Sequence, residues 1–195
     1  MQEMRRIDMK TVEKNTISEY IDNAVKNTAT TLGIKNVMAY PTISKIVLNI
    51  GFGHDKGNNQ LIHSLTQDLS FLSGQKPCIT RAKKSIASFK LRQGEPIGLK
   101  TTLRGKRMYN FLYKLIHTTL PAIRDFRGIS AHSMDAAGNY TIGLHDMSVF
   151  PEISFSKERI SHGVEVCIVL SNATSKSAHI LYTELGFPFV KEPHG

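Results

Sequence analysis

The 195-residue chain has no tryptophan and only two cysteines, Cys78 and Cys167. Two cysteines cannot form the dense disulfide framework of a small secreted domain, and no CxxC pair is present for a zinc ribbon or a dithiol redox site. Each cysteine lies in an apolar, strand-like run and reads as a small buried hydrophobe in a reducing compartment, with a single bridge between them left open. The eight histidines show neither HxxxH nor HExxH spacing, so no zinc motif is present. No apolar run approaches the roughly 20 residues needed to span a bilayer. The N-terminus, MQEMRRIDMKTVEKN, lacks the apolar core of a secretory signal. Gly51-Phe52-Gly53 lacks the third glycine of a dinucleotide loop, because Lys56 occupies that position, and no GKS or GKT follows; it reads as a tight strand exit.

What the chain does have is positive charge, unevenly placed. Lys76, Arg81, Lys83, Lys84, Lys90, Arg92, Lys100, Arg104, Lys106 and Arg107 fall in one stretch with a single acid, Glu95. Outside it, 15 basic residues face 15 acidic ones, so the stretch accounts for the whole formal net charge of +9. Charge this concentrated repels itself unless an anionic partner neutralises it, and nucleic acid is the commonest large polyanion. The cations do not line one side of an amphipathic helix, which argues against a membrane surface.

The apolar pattern predicts one mixed domain over 15–195 after a polar arm at 1–14. Thr16-Ile17-Ser18-Glu19 fits a capping box opening a helix that Gly33 stops. Ile43 to Ile50 alternates as a strand, Asn58 to Leu72 repeats leucine at helical spacing, and Pro77 to Arg81 reads as a second strand. From about 83 to 96 there is no strict alternation, which suggests a long, mobile, protruding basic loop. Ile97, Leu99, Thr101 and Leu103 alternate with Gly98, Lys100, Thr102 and Arg104; a helix then carries Met108, Phe111, Leu112, Leu115 and Ile116 as far as Pro121. Ile129 to Leu144 looks like a hairpin pivoting near Ala137-Gly138-Asn139. Val164 to Leu170 is β-branched, and a last helix spans about 175–185. The fold class is α+β: a two-layer sandwich, mainly antiparallel, with helices on one sheet face. The open face would present Lys45, Val47, Asn49, Lys100, Thr102 and Arg104, suited to an RNA backbone.

Alternatives differ in class. One is a free-standing RNA-binding regulator. Another is an RNA-processing hydrolase using His132 or His145 with Asp125, Asp135, Asp146 or Glu152, although no nucleophile elbow or carboxylate motif selects them.

Several stretches, read in order, resemble the universal large-subunit ribosomal protein five family, in its bacterial or organellar form. They include Asn36-Val37-Met38 with Pro41, Lys45-Ile46-Val47-Leu48-Asn49-Ile50-Gly51, Ser73-Gly74-Gln75-Lys76-Pro77, Ile79-Thr80-Arg81-Ala82-Lys83-Lys84-Ser85 and Phe89-Lys90-Leu91-Arg92-Gln93-Gly94. Thr102-Leu103-Arg104-Gly105, Arg124-Asp125-Phe126-Arg127-Gly128 and Phe150-Pro151-Glu152-Ile153 continue the series. The resemblance implies a non-enzymatic constituent of the ribosome, in the bacterial cytoplasm or in a mitochondrial or plastid matrix. It implies 5S rRNA bound in the central protuberance by the open sheet face, with Asn49, Gln75 and Thr102 matching family contact positions and Lys76, Lys100 and Arg104 beside them. It further implies large-subunit rRNA and other 5S-binding ribosomal proteins as neighbours, and a bridge to small-subunit ribosomal protein thirteen. The loop would reach peptidyl-site tRNA through Lys83, Lys84, Lys90 and Arg92. No cofactor and no metal are expected.

Overall fold

The computed structural model describes residues 14–53, 58–124, 126–153 and 162–190. The proposed arm therefore lies outside the described residues, apart from Lys14, which already begins a helix. That helix, α1 (Lys14–Thr31), starts two residues before Thr16, so Thr16 is inside it and not at its N-cap. Gly33 follows in the left-handed region at φ 67°, where a side chain would be strained.

Five strands form a single antiparallel sheet: β1 (Thr42–Gly51), β2 (Cys78–Arg81), β3 (Pro96–Leu103), β4 (Tyr140–Leu144) and β5 (Val164–Ser171), in the order β2-β3-β1-β5-β4. The longest strand, β1, is central because its alternation offers one fully apolar face. Ile46, Leu48 and Ile50 are wholly buried, while the residues between them are only partly covered. A register shift between Ile43 and Lys45 turns Ile43 inward as well. Leu99, Thr101 and Leu103 of β3, Val166 and Ile168 of β5, and Tyr140, Ile142 and Leu144 of β4 bury the same side.

The covering layer is helical. In α2 (Asn59–Ser73), Ile62, Leu65, Leu69 and Leu72 are buried. The Asn58 side chain caps its start by accepting from Leu61 N, and Gly74 closes it at φ 65°. The third helix, α3 (Gly105–Lys114), runs into a π-turn at Leu115–Thr119 and then a short α4 (Leu120–Ala122). Pro121 does not stop it, as the sequence suggested. Leu120 N donates to Leu115 O across the wider turn, and the last turn accommodates a proline near its start. The final helix, α5 (Ser175–Glu184), opens on a reciprocal cap between Thr174 and Ser177.

Two further expectations are corrected. The stretch Ile129 to Leu144 is not a two-stranded hairpin. Only Met134 bridges back to Tyr140 around the tight Asp135–Asn139 turn, whereas Ile129 bridges in parallel to Phe189. The local turn is right, but β4 finds its long partner in β5, where Tyr140, Ile142 and Leu144 are buried with Val164, Val166 and Ile168. Cys78, read as buried, is exposed on the edge strand β2; Cys167 is half-buried, and both thiols are free.

Candidate nucleic-acid interface

Register places the outward side chains in rows. One row runs Cys78, Lys100, Asn49, Glu165, Gly143 across all five strands. The next runs Thr102, Val47, Cys167, Thr141. This is the open face that strand alternation predicts, with Lys45 further along β1 and Arg104 just beyond the end of β3. Thr102 Oγ1 and the Lys100 amine stand two residues apart on β3, on the same side as Asn49.

Gln75 enters this site through its side chain. Its Nε2 donates to Thr102 O at 2.7 Å, and its Oε1 accepts from Arg107 Nη1 at 3.3 Å. The edge strand β2 begins only at Cys78, paired with Lys100, so beyond that point the outer edge of β3 lacks a backbone partner. Gln75 supplies the missing donor and ties the exit of α2, the end of β3 and the first turn of α3 into one corner. Lys76, Arg104 and Arg107 cluster at that corner, all exposed.

Every one of the ten cations between Lys76 and Arg107 is exposed, and their lone acid, Glu95, is used internally. Its Oε2 accepts from Arg92 N at 2.9 Å. The basic arm at 83–96, expected as a long, mobile, protruding loop, closes on itself through backbone hydrogen bonds. Ile86 and Leu91 exchange both backbone hydrogen bonds, at 2.9 and 3.1 Å. Lys90 N returns to Ala87 O with Lys90 in the left-handed region, at φ 48°. At the base, Ala82 N donates to Glu95 O, Gly94 N donates to Ala82 O, and Arg81 Nη1 donates to Gly94 O. These backbone closures do not require alternating apolar residues, so periodicity could not reveal them. Lys83 and Lys84 lie on the outgoing limb, and Lys90 and Arg92 flank the tip beside Phe89, which is 73% exposed.

The predicted residues thus separate into two groups. Asn49, Gln75, Lys76, Lys100, Thr102 and Arg104 share the sheet face and its α2–β2 corner. Lys83, Lys84, Lys90 and Arg92 stand on the arm, which leaves the opposite end of β3. Two participants escaped the sequence reading, Arg107 as the partner of Gln75 and Glu165 as the partner of Asn49, whose Nδ2 donates to Glu165 Oε2 at 3.2 Å. Alternation within β5 already turned Glu165 outward, but only the strand order puts it beside Asn49.

The described carboxylates among the hydrolase candidates each have a nearby partner. Asp135 accepts from the backbone and side-chain nitrogens of Asn139, both at 2.8 Å. Asp146 accepts from Ser148 N, and Glu152 pairs with Lys114 at 2.6 Å. Asp125 lies outside the described residues. Among the described residues, no group of three or more His, Cys, Asp or Glu is placed to hold a metal ion, and no helix is long and apolar enough to cross a membrane.

The family model described as ribosomal protein L5 matches residues 36–92, and the model for the C-terminus of the same ribosomal family matches 96–189. The chain is 47% identical over 171 residues to a protein of Halothermothrix orenii named large ribosomal subunit protein uL5, covering 88% of this chain and 96% of the relative. A protein of the same name from Oceanobacillus iheyensis is 46% identical over 173 residues, 89% and 97% of the two chains. One from Lactobacillus johnsonii is 51% identical over 156 residues, 80% and 87%.

Proposed function

The chain belongs to the ribosomal protein L5 family, a structural constituent of the large ribosomal subunit and not an enzyme, and from that premise we propose that it holds 5S rRNA against the open face of its sheet. The observation that carries this reading is the division of the molecule's surface. Helices cover one face of the sheet, while the uncovered face and its corner hold Lys45, Asn49, Lys76, Lys100, Thr102 and Arg104. Such a face supplies cations for phosphate and neutral donors for sugar and phosphate oxygens, on rigid strands that fix their spacing.

The arm has a second role in this proposal. Its exposed cations stand on a hydrogen-bonded stem that joins β3 at the end opposite the corner, and they would meet the backbone of peptidyl-site tRNA. Phosphate contacts carry no sequence information, so one arm suits every tRNA. Large-subunit rRNA, neighbouring 5S-binding proteins and an intersubunit bridge to small-subunit protein thirteen complete the proposed surroundings, on family resemblance. The bacterial relatives favour a bacterial cytoplasmic ribosome.

The test is a filter-binding titration of 5S rRNA. Thr102→Glu sets a carboxylate where a phosphate is to lie. Asn49→Asp removes a donor and puts a second carboxylate beside Glu165. Each is expected to weaken binding by about 1–3 kcal/mol. Unchanged affinity in both variants removes the sheet face as the site. Deleting 87–94 is expected to leave 5S binding intact and to impair tRNA retention in the peptidyl site; loss of 5S binding on that deletion contradicts the division of labour. A protein that bound an isolated hairpin but failed to co-sediment with large subunits would instead be a free-standing regulator.

A further inference from the structure

A face built for phosphate should not carry a carboxylate at its centre, yet Glu165 stands exposed in the row Lys100, Asn49, Glu165, Gly143. We propose that Asn49 and Glu165 together form a reading site for the Watson–Crick edge of one unstacked guanine in the bound RNA. The inference rests on the proposed function, since it assigns a chemistry to one part of that surface.

The donor pattern makes the assignment. Glu165 is an acceptor, so the 3.2 Å contact fixes the Asn49 amide with Nδ2 towards the carboxylate. Nδ2 carries two hydrogens and spends one on Glu165, which leaves one to offer. An ionised carboxylate has about four lone-pair sites, and Asn49 occupies one. Read from Asn49 to Glu165, the strip presents a donor followed by two acceptors. Guanine presents the complement: O6 accepts, N1–H and N2–H donate. Uracil ends on an acceptor, and adenine and cytosine present their exocyclic amine where guanine has O6, so each meets the strip with mismatched groups. A phosphate placed there would face the carboxylate's charge, so the same group that rewards guanine rejects a shifted backbone register.

Space is provided on the same side. Asn49 and Glu165 line a recess of about 370 Å³ with Gly51, Gly143, His145 and Gly163. A Cβ added at Gly51 or Gly143 would meet nothing within 4 Å, so open space stands above both backbones. A flat base can therefore reach the strip edge-on and lie over glycine backbone. Sequence-specific RNA recognition commonly targets such unstacked bases.

The experiment has a protein arm and an RNA arm, both read by equilibrium binding to full-length 5S rRNA. Glu165→Gln is expected to weaken binding roughly 5- to 150-fold, the range for one bidentate base contact. Were the carboxylate only a repulsive charge, the same variant would bind more tightly; tighter or equal binding overturns the proposal. On the RNA side, guanosines in unpaired segments are replaced singly by inosine, which lacks the N2 amine. One position should weaken wild-type binding and have no further effect on Glu165→Gln. If no inosine position affects the wild type, or if the sensitive position affects both proteins equally, the guanine assignment fails. Wild-type protein that binds 5S rRNA, is weakened by Thr102→Glu and ignores Glu165→Gln would lose this inference while the sheet-face reading stands. Absence of 5S binding altogether would sink the reading itself.

Discussion

The sheet face and the arm should differ in how they respond to salt. Neutralising a phosphate with a lysine or arginine releases condensed counterions, so the logarithm of affinity falls linearly with the logarithm of salt, by about 0.9 per phosphate on duplex and about 0.7 on single strands. Lys45, Lys76, Lys100, Arg104 and Arg107 stand on the open face or its corner. Five such contacts give a slope of roughly −3.5 to −4.5, and a loss of roughly 100- to 500-fold in 5S rRNA affinity between about 50 and about 200 mM salt. Replacing Lys100 and Arg104 by glutamine should flatten the slope by about 1.4 to 1.8. Replacing Lys83, Lys84, Lys90 and Arg92 together should leave it unchanged, because the arm joins β3 at the end opposite the corner. Filter binding across a salt series reads both. A slope unaltered by the face variant, or flattened equally by the arm variant, would refute the assignment of the two groups to different ligands.

Other expectations concern stability and can be checked by urea unfolding. Gln75→Ala strips the donor from Thr102 O and should cost about 1–2 kcal/mol, although Gln75 is only partly buried. Gly98→Ala would press a Cβ to 2.8 Å from Ile50 O and 2.9 Å from Thr80 Oγ1, and should cost about 2 kcal/mol or more, whereas Gly143→Ala, with nothing within 4 Å, should be near neutral. Thr101 Oγ1 is buried without a hydrogen-bond partner among the described residues, so the isosteric Thr101→Val should be neutral or stabilise by about 1 kcal/mol. Hydrogen bonds from the side chain and backbone of Asn139 hold the Asp135 carboxyl below its ordinary range. A depressed carboxyl adds stability above its unfolded pKa and loses it as pH falls through the folded value. Asp135→Asn should therefore flatten the acid limb of the stability–pH profile, and an identical limb in the variant would contradict this.

Where periodicity controls packing, the sequence was readable. Ile46, Leu48 and Ile50, and Leu99, Thr101 and Leu103, bury one face of each strand as alternation required, and this alone located Asn49 and Thr102 on the other. Elements fixed by non-local pairing or by backbone closure were not readable. The partner of β4 is β5, more than twenty residues downstream, and no local pattern distinguishes it from the adjacent turn at Asp135–Asn139. The arm at 83–96 is held by carbonyl and amide groups that every residue carries, so its folded state left no trace in side-chain pattern. Pro121 reads as a stop because a regular α-helix ends there; after the π-turn the proline sits near the start of a short helical segment that closes one residue later, at Ala122. Gln75 is singled out by resemblance alone; no local pattern shows that its amide also joins Thr102 O to Arg107 across the corner, because both partners are distant in sequence.

The most direct measurement is site-specific crosslinking within the assembled large subunit. A photoreactive residue at position 102, on the open face, should join the protein to 5S rRNA, and one at position 71, exposed on the helical layer, should not. Crosslinking to 5S rRNA from position 71 with none from position 102 would contradict the account.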